Sequence, residues 1–156
     1  MTDATAITVR PATEGDLAAV LALYAQPGFD DGRTLPIADA RRLWARFSAY
    51  PDYTLYVAEQ DGAVVGSFAL LVMDNLGHLG APSAIVEDVI VAPDTQGHGI
   101  GRAMMNFARQ KSIEKRCYKL VLSSSAKRER AHAFYEQLGY ERYGYCFRLD
   151  LALVSP

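Results

Sequence analysis

The sequence predicts an α/β or α+β fold, in which helices cover both faces of one mixed sheet. Three strand-like segments follow one another between Tyr53 and Val91, which indicates an antiparallel meander. After Val91, helices and strands alternate, and a helical crossover adds a differently oriented strand to the sheet. The length of 156 residues fits a single domain covering residues 1–156.

The first elements are predicted from alternation and from helical spacing. Ile7–Arg10 alternates as a strand does, and Pro11 ends it. Thr13 and Asp16 form a variant of the capping box and open the first helix. Two helices follow, separated by a turn-rich loop over Phe29–Pro36. Their buried faces are expected to consist of Leu17, Val20, Leu21 and Tyr24, and of Ala40, Leu43, Trp44 and Phe47.

The remaining elements are predicted from β-branched runs, hairpin signals and helix ends. Asp61-Gly62 is a hairpin signal between two strands, and Gly139 ends the last helix. The long helix is expected at about Ile100–Arg116, and a last helix has an apolar stripe of Ala131, Phe134, Tyr135 and Leu138. One or two closing strands are expected within Tyr140–Leu153. The other strands are expected at Tyr53–Glu59, Ala63–Met73, Ala84–Val91 and Lys119–Leu122.

Composition excludes several classes of protein. The formal net charge is −2, which argues against a generally basic nucleic-acid binder and predicts no nucleic-acid partner. The longest apolar stretch, Ala63–Met73, is too short to span a bilayer and no signal peptide is visible, so no membrane partner is expected. Cys117 and Cys146 lack metal-ligand spacing, which predicts no metal site, and they indicate reduced thiols in a cytoplasmic protein.

A glycine-rich turn, Gln96–Gly101 (QGHGIG), separates the third strand of the meander from the long helix. Glycines permit close approach of backbone to a ligand, and the N–H groups of a first helical turn attract anions. The turn lacks the Gly-Lys-Ser/Thr ending of a nucleotide-triphosphate loop, and its glycines do not follow dinucleotide-binding spacing. Two interpretations remain open from the residues themselves, a phosphate site and a flexible turn that caps the helix.

Three motifs together resemble one known family. Gln96-x-x-Gly99-x-Gly101 is similar to the signature of the GCN5-related N-acetyltransferase (GNAT) superfamily. The preceding AIVEDVIVAP resembles that family's fourth strand, and AHAFYEQLGY, from Ala131 to Tyr140, resembles its last-helix segment. The resemblance implies a mixed, mostly antiparallel sheet that splays between strands 4 and 5. Partial resemblances extend to glucosamine-6-phosphate acetyltransferases, through Glu87-Asp88 and Cys117-Tyr118-Lys119, and to aminoalkylphosphonate acetyltransferases, through Lys127-Arg128.

The resemblance implies acetyl-coenzyme A as cosubstrate. The signature turn would bind the pyrophosphate, and the pantetheine arm would lie along the fourth strand, which is expected to carry a bulge near Glu87-Asp88-Val89. Arg128 stands where many members have an asparagine, and Ser123–Ser125 are possible substitutes. The implied cofactor-binding residues are Val89, Ile90, Val91, Gln96, Gly97, His98, Gly99, Ile100, Gly101, Arg102, Ser123, Arg128 and Phe134.

Five residues are candidates for proton transfer. Tyr135 matches the family tyrosine that protonates the departing thiolate, and a core role is the alternative because it shares an apolar stripe. Glu87 and Asp88 are candidates for taking the proton of the substrate ammonium, directly or through water. Regular alternation would place these two on opposite faces of the strand. His78 and His132 are further candidates for relaying a proton.

The implied function is N-acetyl transfer to a primary amine by direct attack on the thioester, with a small-molecule amine as the expected acceptor. A non-catalytic acyl-coenzyme A sensor and a protein lysine or N-terminal acetyltransferase are the alternatives. Two interpretations remain open for four arginines: they bind a substrate phosphate, or they belong to a solvated helix face. These arginines are Arg33, Arg41, Arg42 and Arg46. A homodimer is expected by analogy, with Tyr143, Tyr145 and Phe147 as candidate interface residues.

Overall fold

The structure is a computed structural model and describes residues 6–151. It divides after Leu122 into two compact units, which are described separately. The first unit contains β1 (Thr8–Pro11), α1 (Leu17–Tyr24), α2 (Ile37–Phe47), β2 (Tyr53–Gln60), β3 (Ala63–Met73), β4 (Ser83–Val91), α3 (Ile100–Glu114) and β5 (Lys119–Leu122). The second unit contains α4 (Glu129–Gln137).

The sheet of the first unit has the strand order β1-β2-β3-β4-β5. The first three pairings are antiparallel and the last, between β4 and β5, is parallel, which confirms a mixed and mostly antiparallel sheet. The parallel ladder ends where Val86 pairs with Leu122, and β4 continues to Val91. Within the described residues, the part of β4 after Val86 therefore has no ladder partner in β5.

Helices pack on both faces of this sheet, as predicted. On one face, Val20 of α1 joins a buried cluster with Leu55, Val57 and Ala69 of β2 and β3. On the other face, Phe107 of α3 lies 5.1 Å from the ring of Tyr56. Side chains alternate between the faces of a strand, so neighbouring residues of β2 serve two separate layers of core.

The contact between α3 and β3 is unusually close at Gly66. A Cβ atom added there would lie 3.0 Å from both Ile100 Cγ2 and Met104 Sδ, and 3.2 Å from the carbonyl oxygen of Ile90. Ile100 and Met104 are fully buried. A hydrogen atom is thus the only side chain that this position accepts without displacing the first turn of α3 or the strand beside it.

Two details of the predicted helix faces are wrong. In α1 the buried residues are Leu17, Val20 and Leu23, whereas Leu21 is only partly buried. The sequence of α1, LAAVLALY, is apolar on every side, so spacing alone cannot choose between the two leucines. In α2 the side chain of Leu43 is 42% exposed, while Trp44 and Phe47 pack against the core cluster.

The closing strands predicted within Tyr140–Leu153 are not found in the described part of that segment, residues 140–151, which has no helix or strand. Leu153 lies outside the described residues. A strand forms by hydrogen bonding to a neighbouring backbone, and within the second unit α4 offers no such edge. The alternating sequence pattern is therefore present without the ladder that it predicts.

The described residues include no helix with the length and apolar character needed to cross a membrane.

Arg10 joins three parts of the first unit through a network of ion pairs. Its guanidinium donates to both oxygens of Asp16, at 2.8 and 3.0 Å, and to Glu59 at 2.8 Å. Asp16 also accepts the backbone N–H of Thr13 at 2.7 Å, which confirms the predicted capping interaction. The hydrogen bonds from Arg10 hold the pKa of this buried carboxyl well below its ordinary value.

We expect Asp16→Asn to lower the free energy of unfolding by about 2 kcal/mol, since it removes charge-assisted hydrogen bonds from a buried group. Because the folded pKa is depressed, this stabilisation is present above the unfolded pKa and is lost as the pH falls below about 4. Urea unfolding at pH 7 and pH 3 measures both effects. The exposed Asp74→Asn is the control, and an equal loss of stability in that variant would contradict the assignment.

Candidate functional site

A bulge interrupts β4 at Asp88. Ser67 of β3 pairs with Ile90 and Ala69 pairs with Glu87, so one extra residue of β4 lies between them. Asp88 takes a left-handed conformation with φ of 53°. The bulge confirms the predicted position, and the regular alternation that would place Glu87 and Asp88 on opposite faces does not continue through it.

The two carboxyl groups lie among other ionisable side chains. Burial raises the pKa of Asp88, and the charge of Asp30 raises it further. Burial followed by the charge of Asp88 raises the pKa of Glu87. The same two causes raise the pKa values of the phenols of Tyr24 and Tyr53, which remain protonated at neutral pH. The bulge thus places a carboxylate that takes up protons more readily than usual beside two hydroxyl groups.

Asp30 is carried by a compact loop between α1 and α2. The Gln26 amide donates to the carbonyl oxygen of Val91 at 3.1 Å and ties the loop to the end of β4. The rings of Tyr24 and Phe29 are stacked with centroids 4.7 Å apart. Sequence reasoning missed both Gln26 and Asp30, and the only local signal was the pair of glycines, Gly28 and Gly32, that bracket the loop.

An open pocket of about 390 Å³ lies between α2 and the start of β2. Its aromatic lining residues are Trp44, Phe47, Tyr50 and Tyr53. Tyr53 lines this pocket, and burial followed by the charges of Asp88 and Glu87 raises the pKa of its phenol. The pocket offers a largely aromatic wall.

The glycine-rich turn follows the C-terminal end of β4, after Val91. Gly97 and Gly99 have φ values of 82° and 88°, which L residues rarely adopt. Gly99 is the N-terminal cap of α3 and provides no side chain, so the N–H groups of the first turn stay available to a ligand. There is no acidic residue in that turn, and Arg102 is exposed. Together with the helix dipole, these features make an anion site.

The remaining predicted residues of the turn and of β4 lie in the same stretch. Ile90 and Ile100 are buried and contribute packing and backbone groups, whereas Val89 and Val91 are partly buried. Gln96, Gly97 and His98 are exposed.

The second unit holds Tyr135 and the other predicted residues of α4. The Tyr135 ring lies 5.1 Å from Phe134 and 5.7 Å from Tyr140. Burial raises the pKa of its phenol, and the positive charge of Arg128 opposes this rise. Tyr135 therefore carries a proton at neutral pH, as a general acid requires.

Ser123 donates to Cys146 Sγ at 3.6 Å, and the hydroxyl oxygen of Ser124 is buried without a hydrogen-bond partner. That hydroxyl could bind a ligand group. The His132 Nε2 atom donates to the carbonyl oxygen of Ser125 at 2.9 Å.

Other candidate residues are engaged elsewhere on the surface. His78 stacks on Tyr118 with centroids 3.9 Å apart. Arg41 forms an ion pair with Glu14 at 3.2 Å, and Arg42 forms one with Asp39. Arg33 and Arg46 are exposed. Across residues 6–151, three or more His, Cys, Asp or Glu side chains nowhere group closely enough to hold a metal ion.

Comparison with known proteins identifies relatives along most of the chain. The family model described as the acetyltransferase (GNAT) family matches residues 15–140. A glucosamine 6-phosphate N-acetyltransferase of Trypanosoma brucei brucei is 31% identical over 155 residues, which cover 97% of this chain and 100% of that protein. An aminoalkylphosphonate N-acetyltransferase of Salmonella typhimurium is 28% identical over 97 residues, 62% of each chain.

The fold has a solved counterpart. The crystal structure of an acetyltransferase of Trypanosoma brucei superposes with a TM-score of 0.81 at 28% identity and covers 94% of this chain and 100% of that one.

Proposed function

This chain belongs to the acetyltransferase (GNAT) family, and we propose that it moves an acetyl group from acetyl-coenzyme A to the primary amine of a small molecule. The observation that carries the proposal is the arrangement along β4. A carboxylate with a raised pKa lies at the bulge, and an uncapped helix N-terminus follows the end of the same strand. One extended ligand with an anionic end and a reactive end could use both.

The residues of the first unit fit such a cosubstrate. The N–H groups of α3's first turn, between Gly99 and Arg102, would hold the pyrophosphate, and the space next to Gly97 is open. The backbone of β4 beyond Val86 runs past the end of the β5 ladder, so it can pair with the amides of a pantetheine arm. Acetyl-coenzyme A would supply the acetyl group as a thioester.

We expect Gly99→Ala to weaken the binding of coenzyme A about tenfold, because a Cβ atom at φ of 88° costs about 1–2 kcal/mol and shifts the N–H groups of the turn. Isothermal titration calorimetry with coenzyme A measures the change. Gly62→Ala is a matched control, since Gly62 has φ of 76° and lies in the β2–β3 hairpin. Equal affinity in both variants would remove the turn from the binding site.

The proton steps are assigned to three side chains. We assign Asp88 the role of taking the ammonium proton of the amine at its carboxylate oxygen, with Glu87 as its neighbour. Asp88 is favoured over Glu87 because its charge raises the pKa of both Tyr24 and Tyr53. We assign Tyr135 the donation of its phenol proton to the departing thiolate, which its raised pKa supports.

We propose that the acceptor is a phosphorylated or phosphonylated amine, with an amino sugar phosphate as the first choice. Support comes from the two curated relatives, whose names specify glucosamine 6-phosphate and an aminoalkylphosphonate. The aromatic pocket beside Tyr53 offers a surface for a sugar ring. Arg33 and Arg46, which are exposed near α2, are the candidates for the phosphate group.

The chain is further proposed to act as one domain, as a homodimer and in the cytoplasm. The family match from residue 15 to residue 140 extends across both compact units and supports one domain. The exposed apolar side chains of the closing segment support the homodimer. Both cysteines are free thiols, which supports a reducing compartment.

The direct test is release of free thiol from acetyl-coenzyme A in the presence of separate pools of amines. The pools are amino sugars, amino sugar phosphates, aminoalkylphosphonates, polyamines and lysine peptides. Release with the amino sugar phosphates alone would support both the reaction and the acceptor class. Release only with lysine peptides would favour a protein acetyltransferase. Binding of acetyl-coenzyme A without release in any pool would favour a non-catalytic sensor.

A further inference from the structure

The loop between α1 and α2 is braced by hydrogen bonds within itself. The carbonyl oxygen of Gln26 accepts the backbone N–H groups of Phe29 at 3.1 Å and of Asp31 at 3.3 Å. The N–H of Asp30 donates to the carbonyl oxygen of Tyr24, at the end of α1, at 3.0 Å. Because these bonds surround both positions, Gln26 and Asp30 are fixed relative to each other and the loop carries them as one body.

The side chain of Gln26 fastens this loop to one particular edge of β4. The N–H of Ala92 donates to the carbonyl oxygen of Val65 in β3 at 2.8 Å. Across a trans peptide bond the carbonyl group points the opposite way from the N–H, so the carbonyl oxygen of Val91 points away from β3. Among the described residues, the ladder with β5 on that edge ends at Val86. The Gln26 Nε2 atom, 3.1 Å from the Val91 oxygen, therefore donates to an acceptor on the open edge of β4.

We propose that Gln26 is a positioning residue, which fixes the distance between Asp30 and Asp88 by fastening its loop to the open edge of β4. Val91, where the loop is fastened, lies three positions after Asp88, so the tether acts beside the bulge. The inference rests on the proposed function, in which Asp88 takes the proton of the substrate ammonium. A carbonyl oxygen has two lone pairs, so the tether leaves the Val91 oxygen able to accept an amide of the cosubstrate as well.

The consequence of the tether concerns the ionisation of Asp88. The groups that interact electrostatically with Asp88 are the carboxylates of Asp30, in the loop, and Glu87, on β4, and the phenols of Tyr24, on α1, and Tyr53, on β2. After burial, the charge of Asp30 is what raises the pKa of Asp88. Without the tether Asp30 would be free to move away from β4, so its charge would raise this pKa less and Asp88 would stay ionised to lower pH.

A pH titration of the full chain, followed by NMR of the side-chain carboxyl carbons, tests the proposal, and Asp88→Asn assigns the signal of Asp88. We expect Gln26→Leu, which cannot donate a hydrogen bond, to move the midpoint of Asp88 to lower pH, in the same direction as Asp30→Asn. Gln110→Leu is the matched control, because it changes an exposed glutamine of α3 whose amide donates to Glu114 at 3.4 Å. An unchanged midpoint in Gln26→Leu, or an equal shift in Gln110→Leu, would overturn the proposal.

The double variant Gln26→Leu/Asp30→Asn shows whether Gln26 acts through Asp30. It should titrate as Asp30→Asn does, because no charge is then left for Gln26 to position. A further shift to lower pH in the double variant would contradict action through Asp30. Calorimetry with coenzyme A should give Gln26→Leu an affinity within about twofold of the wild type, since the Val91 carbonyl remains available. A tenfold loss would assign Gln26 to cosubstrate binding and overturn the positioning role.

The pH profile of thiol release from acetyl-coenzyme A gives a second readout. The fall in rate at acidic pH should begin at lower pH in Gln26→Leu than in the wild type, which a purely structural role of Gln26 would not produce. The NMR titration needs no turnover, so the two proposals fail separately. A wild type that releases no thiol with any pool of amines would overturn the acetyl transfer. An unmoved midpoint of Asp88 in Gln26→Leu would overturn only the role of Gln26.

Discussion

Tyr135→Phe is expected to lower kcat/KM for acetyl transfer at least tenfold while leaving the fold intact. The change removes one hydroxyl from a half-buried ring, and a positioned general acid contributes about 10²–10⁴-fold. Thiol release from acetyl-coenzyme A measures the rate, and calorimetry with coenzyme A shows whether binding is retained. A loss in kcat/KM with unchanged affinity is the signature of a proton donor.

The pH dependence adds a second readout for Tyr135. Burial raises the pKa of the phenol above its ordinary value of 10.0, so the protonated form persists to higher pH than that of an exposed tyrosine. No alkaline loss of activity from this group is therefore expected below pH 10. Tyr140→Phe is the matched control, because it removes a phenol in ring contact with Tyr135. Equal rates in wild type and Tyr135→Phe would assign the ring to packing alone.

Asp88→Asn is expected to lower kcat/KM about a hundredfold or more at neutral pH, because an amide cannot accept the proton of the ammonium. In the wild type the rate should fall as the pH decreases through the pKa of Asp88. Since burial and Asp30 raise that pKa above 3.8, the fall should begin at a higher pH than for an exposed aspartate. Steady-state rates between pH 4 and pH 9 test this.

Asp30→Asn and Glu87→Gln are the companion variants for Asp88. Removing the charge of Asp30 should move the acidic limb to lower pH and leave the rate at neutral pH nearly unchanged. Glu87→Gln leaves Asp88, the proposed base, in place, so its effect on kcat/KM should be small beside that of Asp88→Asn. If Glu87→Gln instead causes the hundredfold loss, the two carboxylates exchange roles.

The sheet and the long helix were predictable because their signals are local. The β-branched run before Val91 and the glycines before Ile100 specify a strand, a turn and a helix start within a few residues. The closing segment carries an equally clear alternation, yet it forms no ladder in the described chain. Alternation specifies which side chains share a face, while a strand also needs a second backbone, which sequence pattern cannot supply.

The features of the candidate site also divide into those that have a signal in the local sequence and those that have none. The bulge position was implied by the family resemblance of the fourth strand, the glycine-rich turn follows from its own residues, and the structure contains both. Gln26 and Asp30 were missed because their importance comes from contacts with β4, about 60 residues further along the chain. A glutamine before Pro27-Gly28 looks like any helix-ending polar residue until the loop is folded onto Val91. Residues of this kind depend on tertiary structure alone.

The close packing at Gly66 fixes a distance along β4. With only a hydrogen atom between β3 and the first turn of α3, the helix start cannot slide along the strand, so the interval between the glycine-rich turn and the bulge is fixed. If the chain has the proposed function, its acyl donor would then be selected by the distance between the phosphates and the thioester of that donor, and not by the acyl group alone. A shorter thioester without the nucleotide portion would reach the bulge but would not extend to the glycine-rich turn.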